Sequence, residues 1–308
     1  MTRYVASRLA QLVLVFFGVT LLIYLAVYVL PGDPIRAMAG DRPLPDSVVH
    51  TLRARYHLDD PVFLRYFRYL GGLLTGDLGT DFTGRPVATL MAQRWPVTAT
   101  LALTAWALEV VLGLVAGTFA ALHRGRTLDR VILLLSVLAI SVPVFVLGYT
   151  AQLVFGVRLG LFPVAGTGHG WPMGYLLPAL VLAVIASASV TRLVRAGVLE
   201  NLGADHVRTA VAKGLPWRRV VTRHVLRNSL PAAVTYLAVD LGFLLGGTVI
   251  IESIFNLPGV GQLLFQSIGA RQGAVVVGVA TALVLVFLLL NLVVDLLYGV
   301  LDPRIRRA

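Results

Sequence analysis

The chain has 308 residues, 57% of them hydrophobic and 13% charged, with a mean hydropathy of +0.84. That balance excludes an ordinary soluble globular domain and places the chain among polytopic membrane proteins. The net charge of +11 comes with no interleaved aromatic–basic pattern and no nucleic-acid motif, so it reads as a topology signal rather than nucleic-acid binding, and the absence of cysteine excludes disulfides, thiolate metal sites and cysteine nucleophiles.

The first apolar run, about 9–30, follows Arg3 and Arg8. It is too long for a signal-peptide core and is followed by Pro31-Gly-Asp-Pro34 instead of a small-residue cleavage site, so it reads as a retained span. Within the long 31–96 segment, residues 61–75 mix aromatic and aliphatic residues with Arg65 and Arg68. That stretch reads either as an amphipathic helix along the outer membrane surface or as a loop helix packed on the bundle. Five further runs, about 97–122, 131–156, 175–197, 231–254 and 274–300, are each long enough for ~30 Å of hydrocarbon at ~1.5 Å per residue. The expected architecture is therefore all-α with six transmembrane helices: a first helix and extracytoplasmic loop over 1–96, and a five-helix core over 97–308. Gly113 with Gly117, and Gly242 with Gly246, have the spacing of close helix approach. Pro143 should kink the third span and free a backbone carbonyl; it either lines a path or is only structural.

Arginine placement sets the orientation. The N-terminus, the 123–130 loop, the 192–230 segment and the C-terminal tail hold 2, 3, 8 and 3 Lys/Arg, whereas the 157–174 and 253–273 loops hold one each. The 8 basic residues of 31–96 are accompanied by 7 acidic ones, and long loops cross largely regardless of charge. Both termini are thus expected in the cytoplasm, with 31–96 outside.

Four acids lie in or beside spans: Glu109, Asp240, Glu252 and Asp295. A carboxylate in lipid needs a partner or a wet cavity. Glu252 and Asp295 fall near span ends, where interfacial anchoring is expected; Glu109 and Asp240 lie deeper and either face a path or pair. The six histidines match no metal-ligand spacing, and no serine-nucleophile context is present. Lys213, the only lysine, is preceded by Ala212 and followed by Gly214, so no P-loop lysine exists and ATP hydrolysis would have to come from another polypeptide.

Residues 205–216 read as a short helix with a start and a stop. Asp205 is the expected N-cap, Lys213 suits the C-terminal end, Gly214 can take φ > 0 and Pro216 forbids continuation. A second basic helix follows from Trp217 to about Arg227. An orientation anchor explains the arginines but not the small-residue helix.

Arg208-Thr-Ala210, three residues and then Gly214 resemble the Glu-Ala-Ala-xxx-Gly loop of ABC importer permeases. Their departures from that pattern, with Leu226-Arg227 where Leu-Pro is usual, are similar to the peptide-importer subfamily. Leu30-Pro-Gly-Asp-Pro34, Gly76-Asp-Leu-Gly79, the 252–261 stretch from Glu252 to Gly261 and the 295–304 stretch from Asp295 to Arg304 fit the same group in order. The chain thus resembles the B-type permease subunit of dipeptide/oligopeptide/nickel importers. The resemblance implies a type I permease fold in the bacterial inner membrane, a homologous second permease, two cytoplasmic ATPases that bind the ATP and Mg²⁺, and an extracytoplasmic substrate-binding protein. It implies a coupling helix with Asp205, Arg208, Thr209, Ala210, Lys213 and Gly214 docking the ATPase. Pro143, Asp240, Gly242 and Gly246 are candidates for the path, and Glu252, Pro258, Gly259 and Gly261 for contact with the binding protein. Nickel complexes and glutathione are alternative cargoes. A proton-coupled transporter using Glu109, Asp240 and Asp295 is the alternative of a different class.

Overall fold

A computed structural model of the protein describes residues 2–28, 45, 47–50 and 60–301. The Leu30-Pro-Gly-Asp-Pro34 motif, His57, the tail arginines and the Asp302-Pro-Arg304 end of the last motif lie outside the described residues. Among the described residues the chain is helical, with one isolated bridge between Thr80 and Pro86 and no strand. The helices are α1 (Thr2–Tyr28), α2 (Val62–Leu74), α3 (Val87–Leu122), α4 (Thr127–Ser141), α5 (Val144–Arg158), α6 (Met173–Leu202), α7 (Asp205–Ala212), α8 (217–229), α9 (Pro231–Ile254), α10 (Val260–Gly269) and α11 (Gly273–Leu301).

Among the described residues, α1, α3, α6, α9 and α11 are long and apolar enough to cross a bilayer, and α4 with α5 makes a sixth if the bent pair is one span. This corrects the expected third span. Pro143 does more than kink it: α4 and α5 diverge by 104°. The reason is local. The residue before a proline is pushed out of the helical region, and Val142 is extended at φ −91°, ψ 127°. Pro96 and Pro178, by contrast, stay inside α3 and α6.

The chain forms two compact units, Met1–Thr98 with Pro258–Ala308, and Ala99–Leu257. In the first, α1 packs along α11, and Arg8 Nε meets Asp295 Oδ2 at 3.4 Å. Asp295 is therefore ion-paired across two helices. α10 buries Val260 and Leu263 against Val87, Leu90, Met91, Val275 and Val279, and the Val260 N–H donates to Thr98 Oγ1 at 2.8 Å. One face of α2 packs on this bundle through Tyr66. In the turn before α3, burial pushes the Asp81 carboxyl up, but hydrogen bonds from Thr83 and Arg85 more than offset that and leave it below the usual carboxylate range. Its contribution to stability is present above that range and is lost as pH falls through it.

In the second unit α6 is the central helix, with Ala183, Val190, Val194 and Val198 fully buried. Gly113 and Gly117 let α3 lie against it. A Cβ at Gly113 would stand 2.5 Å from Val190 Cγ1, and one at Gly117 would stand 2.7 Å from the Thr191 carbonyl. The second glycine pair behaves differently. Gly242 is buried, while a Cβ at Gly246 would meet nothing within 4 Å. Spacing alone makes no seam; a helix must face it.

Candidate functional site

α7 is eight residues long, too short to hold its shape alone in water. It is held by packing. Val207 and Ala210, one turn apart, are 3% and 5% exposed and join a cluster with Val190, Val194 and Val198 of α6, Val220 and Val225 of α8, and Leu237 of α9. Asp205, Arg208, Thr209, Val211, Ala212 and Lys213 face outward. The expected N-cap is displaced by one residue. Ala204 holds that position, at φ −73° and ψ 150°, and no side chain caps the helix. Asp205 is its first helical residue, with its side chain 96% exposed and 3.5 Å from Arg208. There it still complements the positive end of the helix dipole. The stop is as expected: Lys213 is the C-cap, Gly214 takes φ +74°, and the Leu215 N–H returns to the Ala210 carbonyl at 3.3 Å. Pro216 then starts α8.

α8 is π-helical from Val220 to Leu226, a wider winding often found at functional sites. It buries Val220, Val221 and Val225 and turns Arg218, Arg219, Arg223 and Arg227 outward. Its far end is seated on α6 at Gly197. The Ser229 hydroxyl donates to the Gly197 carbonyl at 2.9 Å, and a Cβ on Gly197 would stand 2.6 Å from the Ser229 carbonyl. His206 of α7 lies 3.1 Å from the Asn228 amide of α8. Higher on α6, Arg195 grips Asp129 of α4 with two bonds, Nε to Oδ1 at 2.7 Å and Nη2 to Oδ2 at 2.8 Å. Asp129 Oδ2 also accepts the Gly125 N–H at 2.9 Å. Gly197, Ser229 and Arg195 were invisible to sequence reasoning. Arg195 carried only a charge count, and Gly197 has no glycine at the spacing that would mark it.

The remaining candidates are dispersed. Pro143 lies at the α4–α5 break. Asp240 sits beside Glu109, within hydrogen-bonding reach of it and of Tyr236. Glu109 is 0% exposed, and neither its oxygens nor Asp240 Oδ2 meets a donor among the described residues. One turn away, the Trp106 indole donates to the Leu237 carbonyl at 2.9 Å and locks α3 to α9. The Glu109 oxygens and Asp240 Oδ2 face each other as acceptors, and a glutamine amide at 109 would supply a donor between them. Glu109→Gln is expected to leave the assembled protein as stable or more stable by about 1 kcal/mol, read as an equal or higher melting temperature; Glu109→Ala lowers it.

Glu252 is not an interfacial anchor. It is fully buried near Tyr175, and its carbonyl accepts the Leu257 N–H at 2.8 Å to close the end of α9. Gly259 and Gly261 are also buried, and Pro258 is exposed. Pro258 alone of those four is placed at the surface. Sequence reasoning overlooked Gln152, whose amide reaches the carbonyls of Val164 and Ile254 at 2.8 and 3.1 Å and ties α5 to the end of α9.

The chain matches the family described as binding-protein-dependent transport system inner membrane component over residues 113–307, and the N-terminal part of such membrane components over residues 1–102. It is 39% identical over 308 residues to the glutathione transport system permease protein GsiC of Escherichia coli strain K12, covering 99% of both chains. To the same-named protein of Shigella boydii serotype 4 (strain Sb227) it is 38% identical with the same coverage. Among solved structures it is similar to the MetNI methionine ABC transporter in an inward-facing conformation, at TM-score 0.59 and 19% identity over 70% of this chain and 97% of that one. An amino acid ABC transporter crystallised with histidines gives TM-score 0.51 and 16% identity over 68% and 93%. At these identities the structural likeness is one of fold.

Proposed function

Because the chain belongs to the binding-protein-dependent transport system inner membrane components, and so is a permease subunit of an ABC importer in the bacterial inner membrane, we propose that its cargo is a short peptide, the class that includes glutathione. A peptide exposes mostly backbone amides and its two termini, so a path of small residues with few distinctive side chains is enough to pass it. The 39% identity to a glutathione permease over the whole chain supports that class. We further propose that both termini are cytoplasmic, on the arginine distribution, and that the chain pairs with a homologous second permease above two ATPases that bind ATP and Mg²⁺. An extracytoplasmic binding protein delivers the peptide, and Pro258 with the neighbouring exposed Asn256 is the part of the 252–261 stretch that meets it.

The observation that carries the coupling role is the division of α7 into two faces. Val207 and Ala210 are locked into the same cluster as α6, α8 and α9, so a push on the outward face moves those helices with it. An ATPase groove closing around Asp205, Arg208, Thr209, Val211 and Lys213 would drive α6 and α9 as levers and alternate access to the path past Asp240, Gly242 and Gly246.

The test separates the faces. Val211 is 51% exposed, so Val211→Asp alters the docking surface without entering the core. In proteoliposomes holding the whole importer it should weaken ATPase association about tenfold or more, because an unpaired charge is desolvated at the interface, and uptake should fall with it. Ala210→Trp should instead lower the melting temperature of the permease itself. ATP-driven uptake at the unmodified level by Val211→Asp would remove α7 from the coupling role. Mass spectrometry of the ligand carried by the partner binding protein tests the cargo, and a metal complex or sugar there would overturn the peptide assignment.

A further inference from the structure

α2 carries more apolar surface than its packing uses. Tyr66 is 5% exposed; its hydroxyl lies 3.0 Å from Thr20 Oγ1 and donates to the Phe17 carbonyl at 3.1 Å. The Tyr69 hydroxyl reaches the Val277 carbonyl at 3.4 Å. The Tyr24 ring packs against both, with centroids 5.5 and 5.7 Å away. These partners fix the level of α2. Thr20 lies about 12 Å inside the Tyr28 end of α1, and Val277 about 6 Å inside the Gly273 end of α11, at ~1.5 Å per residue. Two phenols hang from α2 past the ends of two spans, so the helix lies across the boundary of the apolar layer instead of standing above it.

At ~100° per residue, Phe63, Phe67 and Leu74 fall within one ~40° stripe beside the packed face. They are 64%, 66% and 91% exposed, and Leu64, next around the helix, is 45% exposed. Farther round are the two cations. Arg65 lies over the Tyr28 ring at 4.6 Å, and Arg68 is paired with Asp60. α1 also exposes apolar side chains, with Leu22 67% exposed. An apolar stripe at this level, with arginines farther round the same helix, fits acyl chains below and phosphodiester headgroups beside it. A water-soluble partner would have to reach below the span ends to cover it.

We propose that the Phe63–Phe67–Leu74 face of α2 is a lipid-binding surface, inserted among the acyl chains of one leaflet with Arg65 and Arg68 at its headgroup level. Which leaflet rests on the orientation proposed above, and on that reading it is the outer one. The lipid contact itself does not depend on the cargo or on coupling.

The chain has no cysteine, so single labels are straightforward. Phe63→Cys, Phe67→Cys and Arg68→Cys are each labelled with a polarity-sensitive fluorophore in the complete importer, with cysteine-free partner subunits. The importer is held in nanodiscs of phosphatidylethanolamine and phosphatidylglycerol, with or without brominated acyl chains. Brominated lipid should quench the labels at 63 and 67 about threefold more than the label at 68, and aqueous iodide should show the reverse order. Phe67→Trp, which keeps an aromatic in place, repeats the lipid quenching without a label, read as the excess over the four native tryptophans of the unmodified protein. Quenching at 63 and 67 by iodide and not by lipid overturns the proposal, as does shielding from both, which would mean a protein covers the face. Lipid quenching in an importer that takes up no peptide leaves the lipid surface standing and counts against the cargo assignment alone.

Discussion

Gly197→Val will push α8 away from α6. A Cβ at this position meets the Ser229 carbonyl at 2.6 Å and Ser229 Cα at 3.3 Å. These are backbone atoms of α8, and no rotamer change moves them aside. The valine must push α8 away, which also breaks the 2.9 Å bond from the Ser229 hydroxyl to the Gly197 carbonyl. Overpacking costs about 1–3 kcal/mol, while the Ser229 hydroxyl keeps the Val225 carbonyl, 2.8 Å away in its own helix, as an acceptor. The melting temperature of the permease falls, and on the cargo and coupling role proposed above, protein that still assembles takes up less peptide per ATP hydrolysed, because α7 and α8 no longer move rigidly with α6. Gly197→Ala should fall between the two. Unchanged melting and an unchanged ratio of uptake to hydrolysis in Gly197→Val would show that this contact transmits nothing.

Arg195→Ala is expected to cost about 2–3 kcal/mol. It strands the Asp129 carboxylate, whose side chain is 4% exposed, with only the Gly125 N–H to accept from. Breaking a buried pair by removing one partner is expensive because the remaining charge is uncompensated. The figure sits below the ~3–5 kcal/mol of a fully buried pair because Arg195 is itself 23% exposed. Arg195→Lys should recover only part of the loss, since an ammonium cannot reproduce the two parallel bonds of the guanidinium. Adding Asp129→Asn to Arg195→Ala should recover more, as the stranded charge is gone. Denaturation of the unmodified protein, Arg195→Ala, Asp129→Asn and the double variant gives the coupling energy of the pair, and a value near zero would show that the bridge adds nothing to stability. Seven other basic residues of the 192–230 segment remain in Arg195→Ala, so inversion in the membrane is not expected to confuse the reading.

These two positions show where sequence reasoning stopped. Residues 205–214 were legible as a helix with a defined stop because the information is local: Gly214 can take φ +74° and Pro216 cannot continue a helix. The same letters misplaced the start by one residue, since Ala204 takes the cap conformation and leaves Asp205 exposed. Nor did they separate Ala210 from Thr209. Both belong to the motif, yet one is buried and the other outward, and only the position of α6 and α8 decides which. Glu252 looked like an anchor because it lies near the end of an apolar run, but the fold buries it completely. Pro143 predicted a disturbance but not its size, because how far a broken helix turns depends on what each half packs against. The halves here diverge by 104°, with Gly148 of the second half against Ile251 and Ile254 of α9.

By itself the sequence determined what is set by composition and by neighbours along the chain: a helical membrane protein, the approximate extent of its spans, the short helix ending at Gly214 and the transport family. Hydrophobic length and turn chemistry act over a few residues and can be read one segment at a time. Only the tertiary structure decided which glycines are contacts, which arginine is a structural ion pair, which face of α7 is exposed and which residues of α2 pack on the bundle. Each of these depends on atoms brought within a few ångströms from distant parts of the chain, and at that range a single Cβ or an unpaired charge is worth as much as a whole local preference.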